Sequence, residues 1–334
     1  MHFDATLRID SIVSGKFRRY YHLTILRQLF WMRLVLLNLR DSFLVVTGFL
    51  QSIVKLLVWR PDVVFTKGGY VCLPVGIAAR LLRIPLVIHD SDAHPGLTNR
   101  ILSHFATTIA TGAPLEYYDY PKSKSHYIGI PVSPEFHPFS AHERTVARRR
   151  WGIDSNKPLI VITGGGLGAK RINDVVIEVL PQLLELGSVV LVAGSAQYDE
   201  LAALTPTNSD HFQLYSFISD GMATLLGASD VVVARAGATT LLELAALAKP
   251  TILIPNAKLT GGHQLKNAQV YAEAHAVVIV DEEKMIIDRN IFVDSIKLVL
   301  DDDELKSRLS KNISDFARPH AAKDMAHYII KAAK

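Results

Sequence analysis

From Val63 onward, short β-branched runs alternate with stretches whose apolar positions recur at helical spacing. The runs "VVFT" (63–66), "PLVIH" (85–89), "ATTIAT" (106–111) and "SHYIG" (125–129) predict four strands in the first half. "PLIVIT" (158–163), "SVVLVA" (188–193), "FQLYS" (212–216), "DVVVA" (230–234), "PTILIP" (250–255) and "AVVIV" (276–280) predict six more in the second. Continuous apolar strands separated by helices are the pattern of parallel sheets covered on both faces. Prolines interrupt "PVSPEFHPFSAHERTVARRR", and a basic helix start follows. The expected architecture is therefore two doubly wound, Rossmann-like α/β domains, 1–138 and 139–334, with ligands in an interdomain cleft at the carboxyl ends of the strands. The last helix is expected to pack back on the first domain.

The segment Tyr21 to Val58 is the most apolar part of the chain, but Arg27, Arg33, Arg40, Asp41 and Lys55 interrupt it. Its longest uncharged piece, Ser42 to Val54, is shorter than the ~20 residues of a spanning helix, so no membrane span is expected. A helix pair buried in the fold, a cover for an exposed sheet edge and a surface resting on anionic lipid all fit the pattern. The N-terminus lacks the basic start and apolar core of a signal peptide.

At 334 residues and 49% hydrophobic content, the chain is long enough for two cores. Net charge is +4 and the pI about 9.0, which does not separate an anionic small ligand, a membrane surface and nucleic acid. Cys72, the single cysteine, excludes an intramolecular disulfide and reads as an inert packed residue, in keeping with a reducing cytoplasm.

Three stretches in the second half carry candidate chemistry. "TGGGLGAKRIN" places Gly164, Gly165, Gly166 and Gly168 between a strand and a helix start, where backbone N–H groups form an anion site. It matches neither a Walker loop nor G-x-G-x-x-G, and a tight turn that merely packs close remains the alternative. "ARAGATTLLELA" opens a second helix with Thr239 and Thr240, and Glu243 lies one turn in. Those residues suit helix capping and the macrodipole, or a diphosphate with Glu243 on a ribose. "TGGHQLKNA" opens a third helix, with His263, Gln264 and Asn267 as candidates for sugar hydroxyls or as a solvated helix start.

Together with "PDVVFTKGGYVCLPVGIAARLLRIPLVIHDSDAHPGLTNR", these motifs resemble the MurG-type GT-B glycosyltransferases over about residues 60 to 280. The resemblance implies inverting transfer of N-acetylglucosamine (GlcNAc) from UDP-GlcNAc to an undecaprenyl-diphosphate-linked muramoyl peptide, at the cytoplasmic face of the plasma membrane. It implies Gly165, Gly166 and Gly168 near the UDP diphosphate and Phe217 and Ile218 flanking uracil. Ala238, Thr239 and Thr240 would line diphosphate and sugar. Glu243 would bind ribose, and His263, Gln264 and Asn267 would face GlcNAc. On the acceptor side it implies Gly68, Gly69 and Tyr70 near the lipid diphosphate and the His89–Asp92 run at the cleft. His89, Asp90 and Asp92 are the candidate bases. No metal or other cofactor is expected, helix N-termini taking the place of a cation, and no nucleic acid partner.

The chain departs from the family at four places. His263 stands for a glutamine, Ser133 for the arginine of an "NPVR" run, and Gly166 for a serine. The family's opening strand and Gly-Gly-Thr-Gly-Gly-His loop have no counterpart in this sequence. An upstream coding start, a separate subunit supplying the piece, or a reduced fold each accounts for that. The competing readings are a GT-B transferase to another glycolipid or exopolysaccharide precursor, a non-catalytic UDP-sugar-binding protein, and a UDP-sugar epimerase of the same architecture.

Overall fold

The computed structural model describes residues 9–16, 32–166, 168–205, 211–257 and 262–334. All ten apolar runs form strands: β1 Val64–Thr66, β2 Leu86–Asp90, β3 Thr108–Thr111, β4 Ser125–Tyr127, β5 Leu159–Thr163, β6 Ser188–Val192, β7 Phe212–Tyr215, β8 Val231–Ala234, β9 Thr251–Leu253 and β10 Val278–Ile279. They assemble into two parallel sheets, ordered β1-β2-β3-β4 and β10-β9-β8-β5-β6-β7. Strands β5, β6 and β8 are buried along their whole length, as helices on both faces require.

The second sheet has the doubly wound order. Strands β5, β6 and β7 run outward in one direction, and β8, β9 and β10 in the other. The order reverses between β5 and β8, whose last residues Thr163 and Ala234 are paired. Helices leaving these two strands go to opposite faces and part, which opens a crevice beyond the carboxyl ends. Phe212, Phe292, Ile160, Ile162 and Ile172 lie among the residues of the core beneath it.

The chain divides into two compact units, 1–128 with 323–334, and 129–322. The boundary expected at 138/139 thus moves to 128/129. The proline-rich segment joins the second unit because its end is fastened there. Phe139 packs against Gly227, where an added Cβ would stand 2.7 Å from the ring. Ser140 then starts the helix Ala141–Arg150 with a capping box to Glu143. Arg144 and Arg148 of that helix both bind the Asp230 carboxylate at the amino end of β8. In the first unit, Tyr328 of the last helix, Ala321–Ala333, stacks on His126 with ring centroids 4.1 Å apart.

Residues 32–59 form one uninterrupted helix, Met32–Trp59. By length and composition it is apolar enough to cross a membrane, although its longest uncharged piece, Ser42 to Val54, is short. The charges that seemed to interrupt it are partly neutralised. Arg40 Nη2 donates to Asp41 at 2.9 Å, and Lys55 Nζ to Asp10 at 2.5 Å. Leu34, Asp41, Gly48, Ser52 and Leu56 form the buried side, and the helix packs against the helix Cys72–Leu81. Gly48 is required by a close crossing, since a Cβ there would lie 2.0 Å from the Val13 carbonyl oxygen. Residues 21–31 of the apolar segment lie outside the described residues.

Candidate functional site

In the second unit, three helices begin at or just beyond the carboxyl edge of the sheet: Lys170–Glu178 after β5, Ala238–Ala246 after β8 and His263–Glu273 after β9. Their N-cap residues are Ala169, Gly237 and Gly262, and none supplies a side-chain cap. Thr239 and Thr240 lie inside the first turn, so the capping expected of them is not their role. Each start therefore presents backbone N–H groups with no side-chain acceptor from its own N-cap, beside the positive end of a helix dipole.

The glycines after β5 divide into two kinds. Gly168 has φ +73°, and a Cβ there would lie 2.1 Å from the Ala193 carbonyl oxygen. Gly164 is crowded by Ala169 in the same way. These two shape the loop. Gly165 and Gly166 have nothing within 4 Å of where a Cβ would stand, so they border open space. Leu167 between them and Gly168 lies outside the described residues.

A buried carboxylate joins two of these loops. Glu282 accepts from Arg235, just beyond β8, and from Arg171, in the first turn of the helix after β5, the latter at 3.2 Å. Arg235 also donates to the Ile254 carbonyl just past β9 at 2.9 Å. The third helix is tied in by side chains expected to face a sugar. Asn267 is buried and donates to the Ala236 carbonyl at 3.1 Å. Gln264 Oε1 accepts from the Asn256 N–H at 2.8 Å. Asn267 is thus a loop fastener rather than an exposed contact, while His263 is half-buried at the helix start. Thr260 and Gly261 of this motif lie outside the described residues.

Glu243 is half-buried, and among the described residues its carboxylate has no hydrogen bond or ion pair. Burial raises its pKa to about 7. Beyond β7, Phe217 is 59% exposed while Ile218 beside it is buried.

In the first unit, Gly68 and Gly69 follow β1 with φ +78° and +87°. Gly68 packs on Asn99, Gly69 borders open space, and Tyr70 is exposed. Cys72 is half-buried, its thiol donates to the Gly68 carbonyl, and burial raises its pKa, all of which oppose thiolate chemistry.

His89 and Asp90 end β2. His89 is fully buried, and its Nδ1 lies 3.4 Å from the Ser91 hydroxyl. Asp90 is 6% exposed and accepts from Tyr120 Oη at 2.7 Å. Burial raises its pKa to about 6, against the Tyr120, Asn99 and Gly96 hydrogen bonds that hold the ionised form. Tyr118 stacks on Tyr120 and donates to the Asp92 carbonyl at 2.7 Å. Two tyrosines from one segment thus hold both ends of the Asp90–Asp92 run. The sequence reading missed them, the only cue being the crowding of Tyr117, Tyr118 and Tyr120 in a stretch with neither helix nor strand period.

Comparison with known proteins adds the family. Residues 16–111 match the glycosyltransferase family 28 N-terminal domain, and residues 159–327 match its C-terminal domain. A Bacillus anthracis protein named UDP-N-acetylglucosamine--N-acetylmuramyl-(pentapeptide) pyrophosphoryl-undecaprenol N-acetylglucosamine transferase 2 is 34% identical over 275 residues, 82% of this chain and 72% of the relative. The crystal structure of Acinetobacter baumannii MurG superposes with a TM-score of 0.69 at 26% identity, covering 87% of this chain and 79% of that one. The UDP-GlcNAc 2-epimerase of Neisseria meningitidis, at 15% identity and a TM-score of 0.63 over 86% and 81% of the two chains, shares the fold. The two domain matches and the long alignment to a 34% identical relative establish that the chain belongs to glycosyltransferase family 28.

Proposed function

We propose that the chain transfers GlcNAc from UDP-GlcNAc, with inversion, to a lipid-diphosphate-linked muramoyl peptide. The main support is the set of three helix starts without side-chain N-caps around the β5/β8 switch point, with a carboxylate, Glu243, that has no partner among the described residues one turn inside the second. Such N–H groups suit a diphosphate, and a carboxylate beside them suits ribose hydroxyls. In the reaction an acceptor hydroxyl oxygen attacks the sugar C1 as the C1–O bond to the diphosphate breaks. The leaving UDP gains charge, which backbone N–H groups at Gly166, Ala238 and Thr239 would stabilise without a metal, with Gly165, whose N–H donates to Thr163 Oγ1, shaping the loop beside them. Phe217 would stack on uracil beside Ile218, and Thr240, His263 and Gln264 would line the sugar. In the first unit, Gly69 and Tyr70 would border the acceptor diphosphate.

Asp90 is our candidate for the base, with Asp92 the nearest substitute. A carboxylate with a pKa of about 6 is mostly ionised near neutral pH and retains the basicity to take a proton. The exposed apolar side of Met32–Trp59, carrying Leu36, Leu39, Phe43, Val46 and Leu50, would rest on the cytoplasmic membrane surface where a lipid acceptor is anchored. Arg33 and Arg60 near its ends would meet anionic headgroups.

The test is transfer of radiolabelled GlcNAc from UDP-GlcNAc with and without the muramoyl-peptide lipid. Label moving into the lipid fraction only when the acceptor is present is the expected result. UDP binding without transfer would leave a binding protein, and no UDP binding would remove both readings. Asp90→Asn is expected to lower transfer about 100-fold or more with UDP affinity unchanged. Full activity in that variant would move the base elsewhere.

A further inference from the structure

Beside the Asp90 cradle lies a cavity of about 460 Å³, lined by residues of the first unit, none of which has been given a role above except Tyr120. Its size falls within the usual range for small-ligand pockets. Tyr117, Tyr120 and two prolines, Pro95 and Pro121, give it stiff aromatic and apolar surface. Arg100 and Lys124 bring two positive charges against the one carboxylate of Asp119, and His94 and His104 add imidazole rings. Lys124 Nζ is held in place by the carbonyl oxygens of Ser103 and Ala106, at 2.8 and 3.0 Å, and burial lowers its pKa. Arg100 is exposed on the helix Leu97–Leu102, and its charge acts on the Tyr120 hydroxyl. An apolar stem ending in an anion matches this lining, and a guanidinium is suited to binding a carboxylate through two parallel hydrogen bonds.

The cavity shares a wall with the candidate base. Tyr120 lines it, and the hydroxyl of the same residue donates to Asp90. A group held there is one side chain away from the carboxylate that would take the acceptor's proton. Resting on the proposed transfer to a muramoyl peptide, we infer that this cavity is an acceptor subsite for the peptide arm, with Arg100 binding a peptide carboxylate. The arm fixes the sugar hydroxyl relative to Asp90, and Tyr120 couples the two.

The experiment compares wild type and Arg100→Gln in the full chain. Two acceptors are used: the lipid-linked muramoyl pentapeptide, and the same lipid-linked sugar with no peptide. The expected result is a KM for the peptide-bearing acceptor raised roughly tenfold in the variant, the cost of one charge-assisted contact. The KM values for UDP-GlcNAc and for the peptide-free acceptor stay at the wild-type level. An equal rise for both acceptors, or none for either, overturns the inference. Calorimetric titration with soluble muramoyl pentapeptide gives a readout independent of transfer. Binding to wild type that weakens in Arg100→Gln supports the subsite, and equal or absent binding refutes it. If neither lipid acceptor is glycosylated by wild type, the functional reading itself fails. Weakened peptide binding in Arg100→Gln would then keep the pocket as a peptide-carboxylate site without the transfer role.

Discussion

Glu243 stands inside the helix that follows β8. A half-buried carboxylate with no partner among the described residues and a pKa near 7 is a cost to the fold when ionised. Because the folded-state pKa lies above the ordinary value, the native state binds the extra proton between about pH 4.5 and 7. Stability therefore falls as pH rises through that window. Glu243→Gln should be more stable than wild type at pH 8, by roughly 3 kcal/mol at most, with the gap closing below about pH 4.5. Urea melts across that range measure it, and a pH-independent gap would contradict the assignment. If ribose hydroxyls donate to the ionised carboxylate, UDP should bind more tightly as pH rises from 6 to 8. Glu243→Ala should weaken binding by ~1–3 kcal/mol at pH 8. The two glycine kinds are separable as well. Gly168→Ala places a Cβ against the Ala193 carbonyl at positive φ and should cost about 2 kcal/mol or more. Gly166→Ser enters open space and should stay within about 0.5 kcal/mol of wild type in the same melts.

At the scale of the element, the long helix Met32–Trp59 behaves unlike its sequence suggests. Counting Arg40 and Asp41 as two interruptions ignores that they bond each other, with Asp41 turned into the fold. The helix keeps small and polar residues, Gly48 and Ser52, on its packed side and leaves Leu39 and Phe43 outside, at 66% and 72% exposure. Local periodicity cannot reveal that inversion, because a large apolar residue ordinarily marks the buried face. Crossing a membrane would strip away the contacts at Gly48 and Asp41, so the membrane contact proposed above falls to the exposed side alone. Leu39→Glu with Phe43→Glu removes apolar area without touching that side. Sedimentation with vesicles containing anionic phospholipid should show binding reduced roughly tenfold or more. UDP affinity should be unchanged. Undiminished vesicle binding would take the membrane face away from this helix.

For the molecule as a whole, strand positions were legible because β-branched runs are local signals, and all ten strands lie where the apolar runs do. The candidate loops were legible as places but not as roles. Asn267 looks like a hydroxyl-binding side chain until its bond to Ala236 is seen, and Tyr120 has no motif to mark it. Both depend on contacts made across 31 and 30 residues of chain, which periodicity does not encode. The strand order, which places three separate motifs at or beside one crevice, is likewise nonlocal. That convergence makes a prediction for the whole chain. An N–H that hydrogen-bonds the donor diphosphate exchanges with solvent mainly when the ligand is absent. At UDP concentrations 100 times Kd, exchange at such a group should slow on the order of 100-fold. Amide hydrogen exchange by mass spectrometry should place that protection on the starts of all three helices, around Gly165–Gly166, Ala238–Thr239 and His263–Gln264. The buried strands β5 and β8 are already protected and should change little. Protection confined to one helix start would break the shared-site argument. Protection around Asp90–Asp92 in place of the three starts would move the nucleotide to the first unit.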